Sequence, residues 1–434
     1  MDGKRNIVII GSYSQLPPSS LADPVHAGGG IIGNTTAYFL TRHPKFDPSL
    51  HSITILEAGS AIATGASGKA GGLLALWAYP SSLVPLSYKL HAELAAEHNG
   101  PEKWGYRKLK CGSIEASVPE SKIAEMQKQI PAETQNGPEG KTWEKLPKQD
   151  NAAQDLLTEA LLPKELDWVD RDVVVDWSEM GRGGAVDTAQ VHPYHFTMSM
   201  AGLAEAGGVK TRTKAQVTGI KVEGGKVEGV EYTDRATGEQ VTLNGVTDLI
   251  VAAGPWTGKL LPRSKVDGLR AHSVVYEADV SAFAIFTDVE LPRTFRMHKG
   301  RVDPEIYARP FKEAYACGEP DTLVPLPDVV DDVRYDEGLC DDLAAYVGTF
   351  SPVLGAAPIK AKQACYLPRH MRFGQESGPL IGKTVVPGLY VASGHTCWGI
   401  QNAPATGKLM SEIVFDGEAK SSNIENLDPR KFKV

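Results

Sequence analysis

A glycine turn near the start of the chain, followed by an acidic residue at the end of the next strand, constrains the fold most strongly. Residues 6–10 predict a buried parallel strand, and residues 28–33 supply the pattern G-x-G-x-x-G. Residues 34–42 predict a helix, and residues 52–56 a second strand that Glu57 follows directly. Glycines let the backbone approach a pyrophosphate, the helix N-terminus offers N–H groups, and the carboxylate accepts from ribose hydroxyls. Together these features predict a dinucleotide site rather than a glycine-rich loop alone.

The glycine motif carries an interruption. The first strand already ends in Gly11, yet residues 12–27 intervene before the three consecutive glycines. Ordinary connections at this point have about 2–6 residues, because the strand must deliver the turn directly to the helix. Removal of residues 12–28 would join Gly11 to Gly29 and leave an uninterrupted fingerprint. Two explanations stay open, a gene-model artefact such as a retained intron and a genuine loop that bulges out and returns; the pattern favours the artefact.

Length, composition and charge narrow the class of protein. A chain of 434 residues with 42% hydrophobic and 23% charged residues predicts an ordinary globular protein with two connected domains. The formal charge of −8 and the lack of a basic stripe argue against a nucleic-acid partner. No apolar run approaches the ~18 residues that span a bilayer. The first residues do not resemble a secretory signal and the last do not read Ser-Lys-Leu, so we expect a cytoplasmic location.

The five cysteines are odd in number and widely scattered. This pattern predicts neither a disulfide framework nor a paired C-x-x-C metal site, and no metal is expected. Most are expected to be small buried residues.

Further elements follow from periodicity and turn residues. The segment 64–72 is rich in small residues, which suit contact with a flat or phosphorylated ligand, although a flexible loop would have the same composition. Residues 131–151 are polar and predict an exposed excursion. The other predictions are helices over 85–98 and from 193 to about 206, a hairpin over 215–222 and 227–232, strands over 248–253, 314–318 and 388–393, and a helix that begins near Ala405.

Three ordered motifs resemble the flavin-dependent D-amino-acid oxidase superfamily, which includes glycine, sarcosine and fructosyl-amine oxidases. They are the glycine turn with Glu57, Ala-Ala-Gly-Pro-Trp at 252–256, and Gly-His-Thr-Cys-Trp-Gly-Ile-Gln-Asn-Ala-Pro-Ala-Thr-Gly at 394–407. The resemblance spans nearly the whole chain, leaves the acidic and polar insertions uncovered, and is greatest to fungal members.

The resemblance implies an α/β fold. A Rossmann-like FAD-binding domain would be assembled from the discontinuous segments 1–90, 186–265 and 376–434. A second, α+β substrate domain built on a mixed sheet would comprise residues 91–185 and 266–375.

The resemblance also implies a set of cofactor contacts. The glycine turn would hold the pyrophosphate, Glu57 the ribose and the backbone of Val217 the adenine. The segment 67–72 would pass along the flavin, and backbone N–H groups of residues 394–399 would meet the N1–O2 edge, where reduction builds negative charge. The expected cofactor-binding residues are Gly28, Gly30, Gly33, Glu57, Ser67, Gly68, Lys69, Gly71, Gly72, Val217, Gly254, Gly394, Thr396, Gly399 and Ile400.

Catalysis in the superfamily is hydride transfer from a carbon next to an amine nitrogen to flavin N5. It needs a neutral amine and an aligned C–H bond more than a strong base. Water would hydrolyse the imine, and molecular oxygen would re-oxidise the flavin and yield peroxide. His395 is expected in the catalytic site, with a packing histidine as the alternative.

Two departures from the superfamily concern the substrate and the flavin. Glycine and D-amino-acid oxidases carry a carboxylate-binding arginine where this chain has Leu367. Arg309 is the preferred substitute and catalytic residue, with Arg369, Arg372 or an ion-pair role for Arg309 as alternatives. Cys365 precedes Tyr366 as in relatives that tether their flavin, but the threonine-rich sequence that follows there is missing, so we expect no covalent bond.

The leading hypothesis is therefore an FAD-dependent oxidase of a secondary amine or amino-acid-like small molecule. A dehydrogenase that reduces a quinone or a partner protein, or a tailoring oxidase of secondary metabolism, is the alternative within enzymes. A flavin-binding trafficking or regulatory protein without turnover is the alternative outside them.

Overall fold

The computed structural model describes residues 3–11, 29–128, 162–181, 187–293, 295–297 and 300–434. Within these ranges the helices are α1 (Ile31–Thr41), α2 (Ala66–Lys69), α3 (Val84–His98), α4 (Gly100–Trp104), α5 (Glu120–Lys128), α6 (Pro193–Ala206), α7 (Thr257–Leu260), α8 (Glu337–Phe350), α9 (Pro352–Ala356) and α10 (Gly399–Asp416). The first eleven strands are β1 (Arg5–Ile10), β2 (His51–Leu56), β3 (Leu73–Ala75), β4 (Arg107–Lys108), β5 (Lys110–Ser117), β6 (Val174–Glu179), β7 (Thr188–Gln190), β8 (Lys210–Arg212), β9 (Ala215–Glu223), β10 (Lys226–Asp234) and β11 (Glu239–Asn244). The others are β12 (Asp248–Val251), β13 (Val266–Glu277), β14 (Phe283–Glu290), β15 (Arg301–Val302), β16 (Glu305–Arg309), β17 (Glu313–Cys317), β18 (Ile359–Arg372), β19 (Gln375–Ser377), β20 (Leu380–Lys383) and β21 (Leu389–Ser393).

A six-stranded sheet with the order β20-β21-β12-β1-β2-β8 forms the first layer. All neighbours pair in parallel except β20, which runs antiparallel at the edge. Successive side chains of β1 enter opposite cores, because neighbouring residues of a strand face opposite sides. Ile7 and Ile9 pack with α1, α6 and α10, whereas Val8 and Ile10 pack with the three-stranded sheet β11-β10-β9. Burial on both faces explains the continuous apolar run of this strand.

A nine-stranded sheet, in the order β19-β18-β13-β17-β16-β14-β5-β6 with β15 beside β14, forms the second layer. Its strands pair antiparallel apart from the parallel pair β5–β14, so the sheet is mixed. Helices α8 and α9 cover one face through residues such as Val347 and Phe350. The other face carries Tyr307 and Tyr315 and belongs to a separate apolar cluster. A parallel nucleotide-binding sheet joined to a mixed sheet confirms the predicted fold class, while the domain boundaries stay a prediction.

Most of the predicted elements are present, and one has a wrong boundary. The hairpin β9–β10 turns at Gly224 and Gly225, both with positive φ, as a two-residue turn requires. The C-terminal helix begins at Gly399 and not near Ala405. Gly28, Val186 and the polar segment 131–151 lie outside the described residues. Among the described helices, none combines the length and apolar character needed to cross a membrane.

The early start of α10 places Pro404 inside a helix, where proline cannot donate to the carbonyl four residues earlier. That carbonyl belongs to Ile400, and Nε2 of the buried His91 lies 3.0 Å from it. Burial lowers the pKa of His91 to about 4, so its ring is neutral near pH 7 and its Nε2–H can donate there. A side chain of α3 thus replaces the hydrogen bond that Pro404 removes.

Helices α1 and α10 cross at very short range through Gly407. A Cβ added at Gly407 would lie 2.6 Å from the backbone carbonyl of Thr35. The Thr35 hydroxyl in turn donates to the carbonyl oxygen of Ala403 at 3.0 Å. No larger residue fits this crossing without moving a helix.

Gly407→Ala is therefore expected to lower the free energy of unfolding by about 1–3 kcal/mol, because the methyl group meets backbone that cannot rotate away. Gly202→Ala is the matched control, since Gly202 lies within α6 with open space around its Cα. There the change should be neutral or stabilise by up to about 1 kcal/mol. Thermal or urea unfolding of both variants measures the difference, and equal stability would contradict the close crossing.

Candidate active site

A cavity opens at the carboxyl ends of β1, β2, β12 and β21. Ligands of open α/β sheets bind at this edge. Several separate parts of the chain contribute to the wall of the cavity. The lining residues are Gly11, residues 29–32, Glu57, residues 61, 63–67 and 70, residues 252–256, Val330, residues 367–368, and residues 392, 393, 395–397, 399 and 400.

Glu57 closes the glycine turn. Its carboxylate accepts from the backbone N–H of Gly29 at 3.1 Å and from that of Gly59 at 2.7 Å, and the side chain is 5% exposed. Gly11, at the end of β1, lies directly against Gly29 and the same carboxylate. The two ends of the interrupted motif therefore lie close together, next to Glu57, which is expected to bind the ribose.

The N-terminus of α1 faces the cavity beside Ser67. The Ser67 hydroxyl accepts from the N–H of Ile31 at 2.9 Å, and a Cβ added at the N-cap residue Gly30 would lie only 2.8 Å from that hydroxyl oxygen. A glycine at this position leaves the backbone open to a ligand. The arrangement provides partial positive charge and N–H groups for an anion such as a pyrophosphate.

A second helix N-terminus borders the same cavity. Residues 394–398 turn sharply from β21 into α10, with φ of 87° at Gly394 and 50° at Thr396. No side chain caps α10, and its first residues Gly399 and Ile400 line the cavity. The positive end of an 18-residue helix therefore faces the place where a bound ligand would carry negative charge.

His395 lies in this turn and is 3% exposed. Its Nε2 lies 3.0 Å from the hydroxyl of Thr406, and its buried Nδ1 has no hydrogen-bond partner among the described residues. Burial lowers the pKa of His395 to about 3, so the imidazole is neutral at physiological pH. It can offer a hydrogen bond to a ligand but not a positive charge.

The predicted cofactor residues divide into two groups. Gly30, Glu57, Ser67, Gly254, Thr396, Gly399 and Ile400 line the cavity, as does His395, which was predicted as a catalytic residue. Gly33, Gly68, Lys69, Gly71, Gly72, Val217 and Gly394 are not among its lining residues. Gly33 packs α1 against Ile9, and Val217 lies within β9 opposite Tyr232. For all of these residues the individual roles stay predictions.

Lys69 and Cys365 lie side by side behind the cavity wall. The Lys69 ammonium donates to the carbonyl oxygen of Ala364 at 3.0 Å. Burial raises the pKa of the Cys365 thiol to about 11, although Lys69 lowers it in part. A protonated thiol is a poor nucleophile, in keeping with the expectation of an untethered flavin.

Arg309 is buried between the two layers, 4% exposed. Its guanidinium pairs with Glu313 at 3.3 Å, donates to the carbonyl oxygen of Ala70 and stacks over the ring of Tyr315. It is not among the cavity-lining residues. Its predicted catalytic role stays a prediction. Under the alternative explanation, an ion-pair role, Glu313 is its partner.

Some cavity residues were not predicted. Val330 packs onto Gly59 and Gly65, and the next residue, Asp331, accepts from the N–H of Ser60 and pairs with Arg235 at 2.8 Å. No motif marks this acidic segment, so the sequence offered no signal. Gly11 did carry a signal, because it ends the first strand and a direct join to Gly29 completes the fingerprint.

Comparison with known proteins agrees with this geometry. The model of the FAD-dependent oxidoreductase family, DAO, matches residues 27–413. TDA3 of Saccharomyces cerevisiae is 37% identical, with 99% of this chain and 95% of TDA3 aligned. C1F5.03c of Schizosaccharomyces pombe is 33% identical, with 99% of each chain aligned. The chain belongs to the DAO family of FAD-dependent oxidoreductases.

Solved structures share the fold over the full length. Glycine oxidase from Bacillus cereus has a TM-score of 0.63 at 18% identity, covering 98% of this chain and 100% of its own. L-proline dehydrogenase from P. horikoshii has a TM-score of 0.64 at 16% identity, covering 100% and 99%. The predicted family, the predicted cofactor and the prediction of an enzyme are thereby confirmed.

The residues present fit FAD. The N-terminus of α1 and a glycine without room for a side chain would suit the pyrophosphate, and Glu57 would supply an acceptor for ribose hydroxyls. The uncapped first turn of α10 and the unpartnered Nδ1 of His395 suit the polar edge of a flavin ring. FAD, when bound, supplies a hydride acceptor that no side chain provides.

Glu57→Gln is expected to weaken FAD binding about tenfold to hundredfold, because a charged acceptor of the ribose hydroxyls becomes neutral. Glu231→Gln, at an exposed position of β10, removes the same charge away from the cavity and should leave FAD binding unchanged. Titration of the apoprotein with FAD, followed by flavin fluorescence, gives both dissociation constants. Equal values would show that Glu57 serves only the turn.

Deletion of residues 12–28 should preserve or improve FAD retention, because Gly11 and Gly29 already lie in contact. The ratio of 450 nm to 280 nm absorbance after gel filtration measures retention. Loss of flavin or of folding would identify the segment as a genuine structural loop.

Proposed function

We propose that this flavoenzyme oxidises a secondary amine or an amino-acid-like small molecule to the imine, with molecular oxygen as electron acceptor. The observation that carries the proposal is the cavity itself, in which a neutral histidine and an uncapped helix N-terminus face an apolar wall. The folds that it shares belong to proteins named glycine oxidase, iminodiacetate oxidase and L-proline dehydrogenase, which supports an amine or amino-acid substrate class.

The chain's own groups suit a reaction that needs alignment more than proton transfer. With its pKa lowered to about 3 by burial, His395 is neutral and can orient a ligand through its ring. The positive end of α10 favours negative charge at its N-terminus. Among the described residues that line this cavity, Glu57 is the only Asp, Glu, Lys or Arg. Its carboxylate is engaged with the glycine turn, so no pair of charged residues is available for acid–base catalysis.

One side of the cavity disfavours a free substrate carboxylate. Leu367 and Pro368 line it where related oxidases carry an arginine. The two other candidate arginines are engaged elsewhere: Arg369 pairs with Asp267 at 3.1 Å, and Arg372 donates to His370 at 2.8 Å. A carboxylate buried against Leu367 would lose its hydration without gaining an ionic or hydrogen-bonding partner in return.

Anaerobic mixing with an amine panel tests the reaction. We expect N-alkylated amines to bleach the flavin absorbance at 450 nm, and D-alanine and glycine to do so poorly. Admission of oxygen should restore the colour with one peroxide per flavin. Bleaching that only a quinone reverses would indicate a dehydrogenase, and no bleaching by any amine would favour a flavin-binding protein without turnover.

Leu367→Arg is expected to raise kcat/KM for D-alanine at least about tenfold, because a guanidinium binds a carboxylate through two hydrogen bonds. Leu367→Met keeps the apolar surface and should leave the preference unchanged. Steady-state oxygen consumption compares the two variants. An unchanged kcat/KM in Leu367→Arg would show that Leu367 does not face the substrate.

A further inference from the structure

Glu305 and Glu313 lie on the same face of the mixed sheet but differ in their ion pairs. Among the described residues, no Lys, Arg or His side chain forms an ion pair with Glu305. Glu313, on the neighbouring strand β17, pairs with Arg309 at 3.3 Å, His192 at 3.1 Å and Lys360 at 2.7 Å. The fold therefore neutralises one of these two acids and leaves the other for something else.

The contacts of Glu305 leave part of its carboxylate unused. The hydroxyl of Tyr307 donates to its Oε2, and the thiol of Cys317 lies 3.9 Å from the same oxygen. Burial raises the pKa of the Glu305 carboxyl, and nearby Asp303 raises it further. Burial also acts to raise the pKa of Glu313, but hydrogen bonds from His192 and Lys360 outweigh it and lower that pKa to about 2. A half-buried carboxylate of this kind gains most from a bound positive charge.

Tyr307, which donates to this carboxylate, belongs to an unbroken series of aromatic contacts. Centroid distances are 6.0 Å for Tyr79–Trp398, 5.6 Å for Trp398–Trp77, 5.9 Å for Trp77–Phe286, 6.2 Å for Phe286–Tyr307 and 5.9 Å for Tyr307–Tyr315. The first four pairs meet edge to face, so rings in the series turn their faces in different directions. Trp77, Phe286 and Trp398 are half-buried, as is Glu305, which leaves this cluster accessible from one side.

The position of the cluster is fixed by strand register and by the turn of residues 394–398. Glu305 and Tyr307 lie two residues apart on β16, and β17 places Cys317 and Tyr315 opposite them. They therefore share one face of the sheet. On the other side, Trp398 follows Cys397, which lines the cofactor cavity. Tyr307 also packs closely against Gly71, whose neighbour Ala70 lines the same cavity.

We propose that Glu305, Tyr307 and the rings of Trp77, Phe286 and Trp398 form a substrate subsite for a cationic ammonium group, separate from the neutral amine nitrogen next to the oxidised carbon and recognised by its positive charge. Aromatic faces attract quaternary and alkylated ammonium groups, and a carboxylate adds the opposite charge. This inference rests on the proposed amine oxidation and names the class of amine that the site accepts. Glu305 favours a ligand that carries an ammonium group, and Leu367 disfavours one that also carries a carboxylate.

Calorimetry with the FAD-loaded full chain tests this without turnover. Choline and its neutral isostere 3,3-dimethylbutan-1-ol have nearly the same shape, and choline has no amine lone pair that would permit oxidation. We expect choline to bind at least about tenfold more tightly than the alcohol. Equal binding of the two, or no binding of choline, would overturn the proposal with no variant needed.

Two variants then locate the site. Glu305→Gln should weaken choline binding at least about tenfold while it keeps an acceptor for Tyr307. Glu231→Gln, at an exposed acid of β10 in a different sheet, is the matched control and should bind choline like the wild type. Trp77→Leu should weaken binding severalfold through loss of a ring. Unchanged binding in Glu305→Gln, with the flavin retained, would also overturn the assignment.

The outcomes separate this inference from the proposed oxidation. Choline binding that depends on Glu305, in a protein whose flavin no amine bleaches, would support the subsite and contradict the oxidase. Flavin bleaching by amines, in a protein that binds choline no better than the alcohol, would support the oxidase and contradict the subsite.

Discussion

The close crossing of α1 and α10 at Gly407 sets the geometry on which the cofactor cavity depends. Each helix follows a strand of the same parallel sheet, so each N-terminus lies at the carboxyl edge of that sheet. Because the Thr35 hydroxyl bonds to the carbonyl of Ala403, the two helix axes are held together near their first turns. Two positive helix ends can then serve one elongated anionic ligand. A wider crossing would separate the two ends and divide the site.

The turn that feeds α10 carries local backbone strain. Thr396 adopts a positive φ of 50°, which costs a residue with a side chain about 1–3 kcal/mol in general. Surrounding contacts hold it in place: His395 bonds to Thr406, and residue 395 also bridges to Arg369 of β18. The strained turn is therefore fixed before any ligand binds. Its uncapped N–H groups need no rearrangement to meet developing negative charge, which is the condition under which such groups are most effective.

The parts of this structure that could be predicted from the sequence are those whose signals lie close together in the chain. β1, the glycine turn and Glu57 fall within one motif, and the β9–β10 hairpin has its turn residues between its strands. The start of α10 was misjudged because Pro404 usually marks the beginning of a helix, whereas here His91, more than 300 residues earlier, supplies the missing hydrogen bond. Val330 reaches the cavity from the segment between β17 and α8, and the adjacent Asp331 bonds to Ser60, 271 residues earlier. Such pairings depend on the packing of two layers, which no local pattern encodes.

The position of Arg309 shows how the two layers are held in register. It donates to Ala70, the last residue before the segment that packs on Tyr307, and it neutralises Glu313 at the same time. Glu313 also receives His192, which caps α6, so one carboxylate ties the mixed sheet to a helix of the cofactor layer. An arginine used in this way would have to leave a buried acid in order to bind a substrate carboxylate, at the cost of a desolvated ion pair. These contacts therefore fix the loop that ends at Ala70, whereas Glu305, four residues before Arg309 on the same face, forms no such ion pair among the described residues.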